Sequence, residues 1–180
     1  ERYNVFVDLG AADGYYGIGV LVNKLFDKSY CYEVTEAGRA VIKENSILNG
    51  VESRVTIRGE ATKNIASEIP AFERENSILF VDVEGAEFNI FDSDVFRDFE
   101  KSIIFIEIHD FFHPDGEGKF QKLLNDAKAT HSVKFIKMAN RDLSVFPEIC
   151  DWNDHDRWLL CSEGRAKLMT WLRLDPLSDL

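Results

Sequence analysis

Four ionisable side chains stand at the ends of two apolar runs of this 180-residue chain. Asp82 and Glu84 end the run ILFVDVE, and Glu107 and His109 end the run IIFIEIH. The members of each pair are two positions apart, so their side chains share a face where the backbone is extended. Histidine suits proton removal near neutral pH, and a neighbouring carboxylate such as Glu107 can orient its ring. The spacing therefore predicts a site for proton transfer where the two runs end.

The same residues allow other interpretations. Carboxylates with one imidazole also suit Mg²⁺ or Mn²⁺, although Mg²⁺ seldom takes imidazole. Glu107 and His109 can equally be buried structural residues that are satisfied by hydrogen bonds. We take His109, Glu84 and Glu107 as the catalytic candidates and assign no metal, with these alternatives left open.

Small residues recur at every second position after the first apolar run, VFVDLGAADGYYG. Gly10, Ala12 and Gly14 allow a sharp turn and a close approach to a ligand beside the N-terminus of the next helix. The spacing does not match the GxGxxG of dinucleotide-binding folds. It resembles the (D/E)xGxGxG turn of class I methyltransferases that use S-adenosylmethionine (SAM), with Asp8 in the acidic place. That resemblance implies that Asp8 and this loop hold the amino acid part of SAM. An ordinary glycine-rich turn is the alternative.

An acid also ends the second apolar run, YCYEV. Glu33 stands where nucleotide-binding folds accept hydrogen bonds from ribose hydroxyls. It therefore indicates a nucleoside without separating SAM from NAD, and a solvated strand-end carboxylate is the alternative. After the third run, Glu60 or Ala61 falls where class I methyltransferases usually contact adenine.

Longer segments resemble the FkbM family of SAM-dependent methyltransferases. They are EVTEAGRAVIKENSILNG, ILFVDVEGAEF and IIFIEIH, and DVEGAE and the final EIH are the most specific. The family often has a proline after the second-strand acid, where this chain has Val34 and Thr35. The resemblance implies SAM as cofactor and methylation of a hydroxyl on a small molecule or sugar. It implies SAM contacts at Asp8, Gly10, Ala12, Asp13, Gly14, Glu33, Val34, Glu60, Ala61 and Asp82.

Alternating strands and helices must position these residues. We predict strands at 5–9, 30–34, 54–57, 78–83, 103–108, 133–138 and 158–162. Amphipathic stretches between them, including one over 86–99, predict βαβ units with right-handed crossovers. The stretch 147–156 is expected to form a hairpin with the last strand. The expected architecture is one Rossmann-like α/β domain over 1–180, with helices on both faces of a mostly parallel seven-stranded sheet. Its strand order is 3-2-1-4-5-7-6, with the last strand antiparallel.

The bulk composition limits the partners. A net charge of −11 disfavours nucleic acid and anionic membranes. No apolar run reaches the roughly 18 residues that span a bilayer. Three cysteines without a CxxC pair favour a reducing, cytoplasmic setting. The chain opens on Glu1 rather than Met, which is consistent with a missing native N-terminal segment.

Other function classes find less support. The chain has no GxSxG, HExxH or Walker sequence, and no (N/D/S)PP(Y/F) run of the kind used in base methylation. Two alternatives to a methyltransferase remain, a nucleotide-dependent oxidoreductase and a non-catalytic interaction module with the same fold. The acceptor pocket is expected from Phe111, Phe112, His113 and the loop at 140–156. The sequence specifies neither the acceptor nor the oligomeric state.

Overall fold

Seven strands form one sheet in the computed structural model, which describes residues 3–137, 142–162 and 168–177. The sheet order is β3-β2-β1-β4-β5-β7-β6; β7 runs antiparallel to both of its neighbours, and the other pairs are parallel. The predicted strand order and fold class are confirmed. The strands are β1 Val5–Leu9, β2 Lys28–Tyr32, β3 Val55–Arg58, β4 Ser77–Val81, β5 Ile103–Ile108, β6 His131–Lys137 and β7 Thr170–Pro176.

Helices cover both faces of this sheet. In β2, Tyr32 packs in an apolar cluster with Phe96, whereas Cys31 packs in a second cluster with Ile18 and Ile42. Successive side chains of a strand point to opposite faces, so the two clusters lie on opposite sides of the sheet. The helices are α1 Tyr15–Val22, α2 Glu36–Leu48, α3 Ile65–Glu68, α4 Ala71–Arg74, α5 Glu87–Ile90, α6 Ser93–Asp98, α7 Gly116–Ala127 and α8 Asp154–Leu160. Within the described ranges, no helix is both long and apolar enough to cross a bilayer.

The predicted last strand at 158–162 is wrong, because most of that run belongs to helix α8. The side chain of Asn153 caps α8 by accepting a 3.0 Å hydrogen bond from the N–H of Asp156, and Asp154 pairs with Arg157 one turn along. A capped, acidic first turn favours a helix, and it outweighs the strand preference of Trp-Leu-Leu.

The hairpin expected for 147–156 is also wrong. That stretch contains a short 3-10 helix at 147–149 and the beginning of α8. The last strand is β7, which was not predicted, and it pairs with β5 and β6. Its buried residues alternate at Leu172, Leu174 and Pro176, which is the pattern of a strand with one covered face.

The single helix expected over 86–99 is two short helices. The chain is extended at Phe91, and Asp92 then caps α6 by accepting hydrogen bonds from the N–H groups of Asp94 and Val95. The ring of Phe91 is buried in the core. We infer that this packing interrupts the helix that the amphipathic pattern predicted as continuous. The strand expected at 133–138 begins two residues earlier, at His131, and Met138 lies outside the described residues.

Candidate active site

A cleft opens at the carboxyl ends of β1 to β4, with a cavity volume of about 390 Å³. This size falls within the roughly 300–1,000 Å³ typical of small-molecule sites, and strand ends are the usual ligand position in α/β sheets. We call it the strand-end cleft. Its lining residues are Gly10, Ala12, Tyr32, Glu33, Val34, Glu60, Ala61, Asp82, Val83, Glu84, Ala86 and Ile90.

Eight of these lining residues were candidates from sequence alone. Sequence reasoning missed Tyr32, Val83, Ala86 and Ile90, which supply most of the apolar wall. Their types do not separate them from ordinary core residues. Tyr32 and Ile90 are in fact buried members of the main apolar cluster as well as parts of the wall. Only the packing of the helices against the sheet in the folded structure shows which core residues also face the cleft.

The turn after β1 forms one wall of the cleft. Gly10 has φ of 90°, a conformation that favours glycine, and a Cβ added there would lie 1.9 Å from the carbonyl oxygen of Asp82. The N–H groups of Gly10 and Ala11 both donate to the carbonyl oxygen of Tyr32, at 3.0 and 2.9 Å. Gly10 thus lets the turn contact the ends of two neighbouring strands at once.

Glu33 fixes the opposite side of the same turn. Its carboxylate accepts hydrogen bonds from the N–H of Ala12 at 3.1 Å and from the N–H and hydroxyl of Thr35 at 2.8 and 2.7 Å. The hydroxyl of Thr35 also caps α2 by accepting from the N–H of Gly38. Thr35 therefore both holds Glu33 and caps the beginning of α2. A carboxylate has about four acceptor positions, so three donors leave capacity for a ligand hydroxyl.

Three predicted cofactor residues do not line the cleft. Asp8 is 2% exposed, and its carboxylate accepts a 2.9 Å hydrogen bond from the N–H of Gly17, on the α1 side of the sheet. Burial raises the pKa of Asp8 to about 7, against the opposing effect of that N–H donor. Asp13 and Gly14 line a separate depression beside α1 and α2, with Asn45. Cofactor contacts by these three residues stay predictions.

The acid–histidine cluster, defined as Asp82, Glu84, Glu107 and His109, stands where β4 and β5 end side by side. The Nε2 atom of His109 lies 3.2 Å from a carboxylate oxygen of Glu84, 3.5 Å from one of Glu107 and 3.7 Å from one of Asp82. The structure thus brings together the residues that the sequence placed at two strand ends. Their catalytic roles stay predictions.

Burial divides this cluster into an inner and an outer part. The side chain of His109 is 1% exposed, and Glu107 is buried behind it, whereas the side chain of Glu84 is 69% exposed. The rings of Phe111 and Phe112 cover His109, with Phe112 stacked nearly parallel to the imidazole at 5.8 Å between ring centres. Glu84 is therefore the member of the cluster that solvent reaches most freely.

A fourth acid, Glu87, joins the two strand ends, and sequence reasoning missed this role. It stands in the first turn of α5, as expected for an acid beside a helix N-terminus, but it is fully buried. Its two oxygens accept from the N–H groups of His109 and Gly85, at 2.7 and 2.9 Å. Burial raises the pKa of the Glu87 carboxyl, and these two donors partly oppose that effect.

Three residues of the expected acceptor pocket, Phe111, Phe112 and His113, lie near the cluster. The Nε2 atom of His113 lies 2.8 Å from the carbonyl oxygen of Gly85, and Lys119 contacts its Nδ1 atom at 3.0 Å. Phe111 and Phe112 are both partly exposed above His109. Within the predicted loop at 140–156, residues 140 and 141 lie outside the described residues. The assignment of these residues to an acceptor pocket stays a prediction.

The chain is similar to known methyltransferases in sequence and in fold. The family described as Methyltransferase FkbM domain matches residues 21–155. No curated protein matches the chain in sequence. A tRNA methyltransferase of B. subtilis superposes with a TM-score of 0.60 at 11% identity, over 97% of this chain and 60% of that one. An O-methyltransferase from Bacillus cereus, in complex with SAH, gives 0.59 at 13% identity, over 96% and 74%.

A third structure, a precorrin-6y methyltransferase from Geobacter metallireducens, gives a TM-score of 0.56 at 12% identity, over 97% of this chain and 80% of that one. At such low identities these likenesses concern the fold alone. The chain spans 60 to 67% of the length of the tRNA methyltransferase structures that it resembles.

Proposed function

The chain belongs to the FkbM methyltransferase family, and on this premise we propose that it transfers a methyl group from SAM to a hydroxyl of a small molecule or sugar. One observation carries the proposal. A single cleft is lined by Glu33, an acid with acceptor capacity left, and by part of the acid–histidine cluster, Asp82 and Glu84, with the imidazole of His109 3.2 Å from Glu84. The first suits a nucleoside, and the second suits proton removal from an acceptor.

We assign residues that line the cleft to the ribose and the adenine of SAM. Glu33 is assigned to the ribose hydroxyls, and Glu60 with Ala61 to the adenine, at the end of β3. The apolar wall formed by Tyr32, Ala86 and Ile90 suits the apolar surface of a nucleoside. SAM supplies an electrophilic methyl group that its sulfonium already activates, so the protein needs few catalytic groups. The protein's own residues bind SAM and the acceptor, orient them for transfer and exclude water.

The acid–histidine cluster is assigned to the acceptor. A hydroxyl has a pKa far above 7, so its proton must leave during transfer. His109 is the base that the sequence predicts, with Glu107 behind it and Glu84 at the cleft. The ring is 1% exposed, so direct contact between Nε2 and an acceptor requires neighbouring side chains, such as Glu84 at 3.2 Å, to move. The cluster acts on the acceptor either by this route or through a bound cation.

A small-molecule acceptor agrees better with the charge of the protein than a nucleic acid does. The net charge is −11, and four carboxylates, those of Glu33, Glu60, Asp82 and Glu84, line the cleft. A polyanionic acceptor would meet repulsion along this whole surface. None of the three cysteines is in a disulfide, and on that ground we propose a reducing, cytoplasmic setting.

Thermal unfolding with three ligands separates the methyltransferase from its rivals. We expect SAM and S-adenosylhomocysteine (SAH) to raise the melting temperature and NAD to leave it unchanged, because only ligands of the native state stabilise. The gain should shrink in Glu33→Ala and persist in Glu44→Ala, an exposed glutamate on α2 that serves as the control. Stabilisation by NAD alone would favour the oxidoreductase, and no gain with any ligand would favour the interaction module.

A further inference from the structure

We propose that Asp82, Glu84 and His109 hold a divalent cation, with Mn²⁺ bound more tightly than Mg²⁺. The inference deepens the proposed function and rests on it only for the role of the ion in catalysis. One ligand atom from each residue lies within 4.8 Å of the other two. The three come from the turn after β4 and from the end of β5, so the ion would link two neighbouring strand ends.

The distances fit a shared ion. Ligand atoms at about 2.1 Å from one octahedral ion lie roughly 3 to 4 Å from each other. The Nε2 atom of His109 lies 3.2 Å from Glu84 Oε2 and 3.7 Å from Asp82 Oδ1. Both distances lie in that range, so the imidazole is spaced to share one ion with either carboxylate.

An independent observation concerns the hydrogen bonding of these atoms. His109 is buried, and neither of its ring nitrogens makes a hydrogen bond within the described part of the chain. Asp82 Oδ1 is likewise buried without a hydrogen bond there. Buried polar atoms are nearly always satisfied, and a cation at this point satisfies His109 Nε2 and Asp82 Oδ1 together.

The charge of the cluster favours a cation over a proton alone. Among the described residues, neither Asp82 nor Glu84 pairs with a lysine or arginine. Their ligand oxygens lie within 4.8 Å of each other. Like charges at these separations repel strongly in a partly buried site, and a divalent ion offsets that repulsion.

The backbone holds the ligand residues in place. The carboxylate of Glu87 accepts hydrogen bonds from the N–H groups of His109 and of Gly85, which follows Glu84. One buried carboxylate therefore holds both the turn after β4 and the end of β5. Glu84 itself has φ of 50°, an uncommon conformation for a residue with a side chain. Such support around ligand residues is typical of metal sites, where neighbouring groups set ligand orientation.

The donor set selects among ions. Two carboxylates with one imidazole form a mixed set of hard oxygen donors and nitrogen. Mg²⁺ strongly prefers oxygen, whereas Mn²⁺ takes imidazole more readily and binds mixed sites more tightly. Three protein ligands leave positions for an acceptor oxygen. The ion would stabilise that oxygen as its proton leaves to water. The new carbon–oxygen bond then forms as the carbon–sulfur bond breaks, and the electron pair stays on sulfur in SAH.

Mn²⁺ binding to the EDTA-treated, desalted protein tests this without any acceptor. Electron paramagnetic resonance should count one bound Mn²⁺ per chain, and spin-echo modulation should show an imidazole nitrogen at the ion. His109→Ala should abolish the nitrogen signal and weaken Mn²⁺ binding at least 10-fold. Glu84→Gln, a change at an exposed side chain, should weaken binding without unfolding the protein. Glu44→Gln, remote from the site, should leave binding unchanged.

The SAH affinity of the same samples keeps the two proposals apart. Absence of stoichiometric Mn²⁺ binding, or equal binding by wild type and by both site variants, overturns the cation site. If SAH still binds in that case, the methyltransferase proposal stands. If Mn²⁺ binds as expected and SAH does not, the cation site stands and the proposed function fails.

Discussion

The carboxylate of Glu87 accepts a 2.7 Å hydrogen bond from the backbone N–H of His109, across two neighbouring strand ends. Its other oxygen accepts from Gly85, so one buried side chain ties the turn after β4 to the end of β5. His109 is therefore positioned by its backbone, while its ring stays available to Asp82 and Glu84. A site that depends on two strands needs such a link, because their turns have no direct sequence connection.

Removing this link should destabilise the protein. Glu87→Ala leaves two buried N–H groups without acceptors, at about 1–3 kcal/mol each, so the free energy of unfolding should fall by about 2–6 kcal/mol. Glu87→Gln should lose less, because its amide oxygen keeps one of the two bonds. Urea unfolding measures both, with Glu44→Ala as a surface control. A loss below about 0.5 kcal/mol in Glu87→Ala, within the range of surface changes, would contradict this role.

Gly10 should tolerate no side chain, for a reason that the sequence did not reveal. Sequence reasoning placed a ligand against Gly10, but an added Cβ would meet the protein's own Asp82 carbonyl at 1.9 Å, at a φ of 90°. We therefore expect Gly10→Ala to lower the melting temperature as well as SAH affinity. Gly19→Ala is the matched control, since nothing lies within 4 Å of that Cβ in α1. It should be neutral or stabilising by up to about 1 kcal/mol. Equal melting temperatures for the two variants would refute the close approach.

Asp8 should make stability fall as pH rises. Its folded-state pKa of about 7 lies above the ordinary 3.8, so between these values the native state keeps a proton that the unfolded chain has released. Stability is thus lost from about pH 4 to pH 7, by up to about 4 kcal/mol at 1.36 kcal/mol per pKa unit. Asp8→Asn keeps an acceptor for the N–H of Gly17 without the charge. Its stability relative to wild type should therefore grow over this range and level off above it. Urea unfolding at several pH values measures the difference, and a constant difference would show that Asp8 is not buried as described.

The protein should not bind nucleic acid at ordinary salt. Binding to a phosphate backbone depends on basic side chains that release counterions, and this chain carries a net charge of −11. A gel shift with generic DNA and RNA at about 150 mM salt should show no complex at micromolar protein. A shifted band with either oligonucleotide at this salt would contradict the prediction. It would make RNA a candidate acceptor, which is the kind of substrate named for one structure of similar fold.

Much of the fold could be predicted from the sequence. Apolar runs such as VFVDL are buried on both faces in β1, and alternation with amphipathic helices leaves few topologies. The match over residues 21–155 confirmed the family resemblance, and with it the SAM-dependent class. The error at 158–162 arose because Trp-Leu-Leu suits a strand, while the cap at Asn153 that makes it a helix depends on local hydrogen bonds.

The candidate site was predictable only at the level of strand ends. Glu33 and Asp82 reach the cleft because each directly follows a parallel strand, which the sequence reveals. Asp8 does not, because it precedes the end of β1 and strand alternation turns it toward α1. The role of Glu87 depends on the spacing between two strands that are distant in sequence, and no local pattern encodes that spacing.

Calorimetric titration of SAH tests the central claim most directly, because it measures the cleft without an acceptor. We predict saturable binding at one site per chain in wild type and in Glu44→Ala. In Glu33→Ala the affinity should fall about 10- to 100-fold, since hydrogen bonds to a charged acceptor contribute about 1.5–3 kcal/mol. Absence of SAH binding by the wild type would contradict the account. So would a change in affinity below about threefold in Glu33→Ala, because its free energy is roughly half the smallest contribution expected from such a bond.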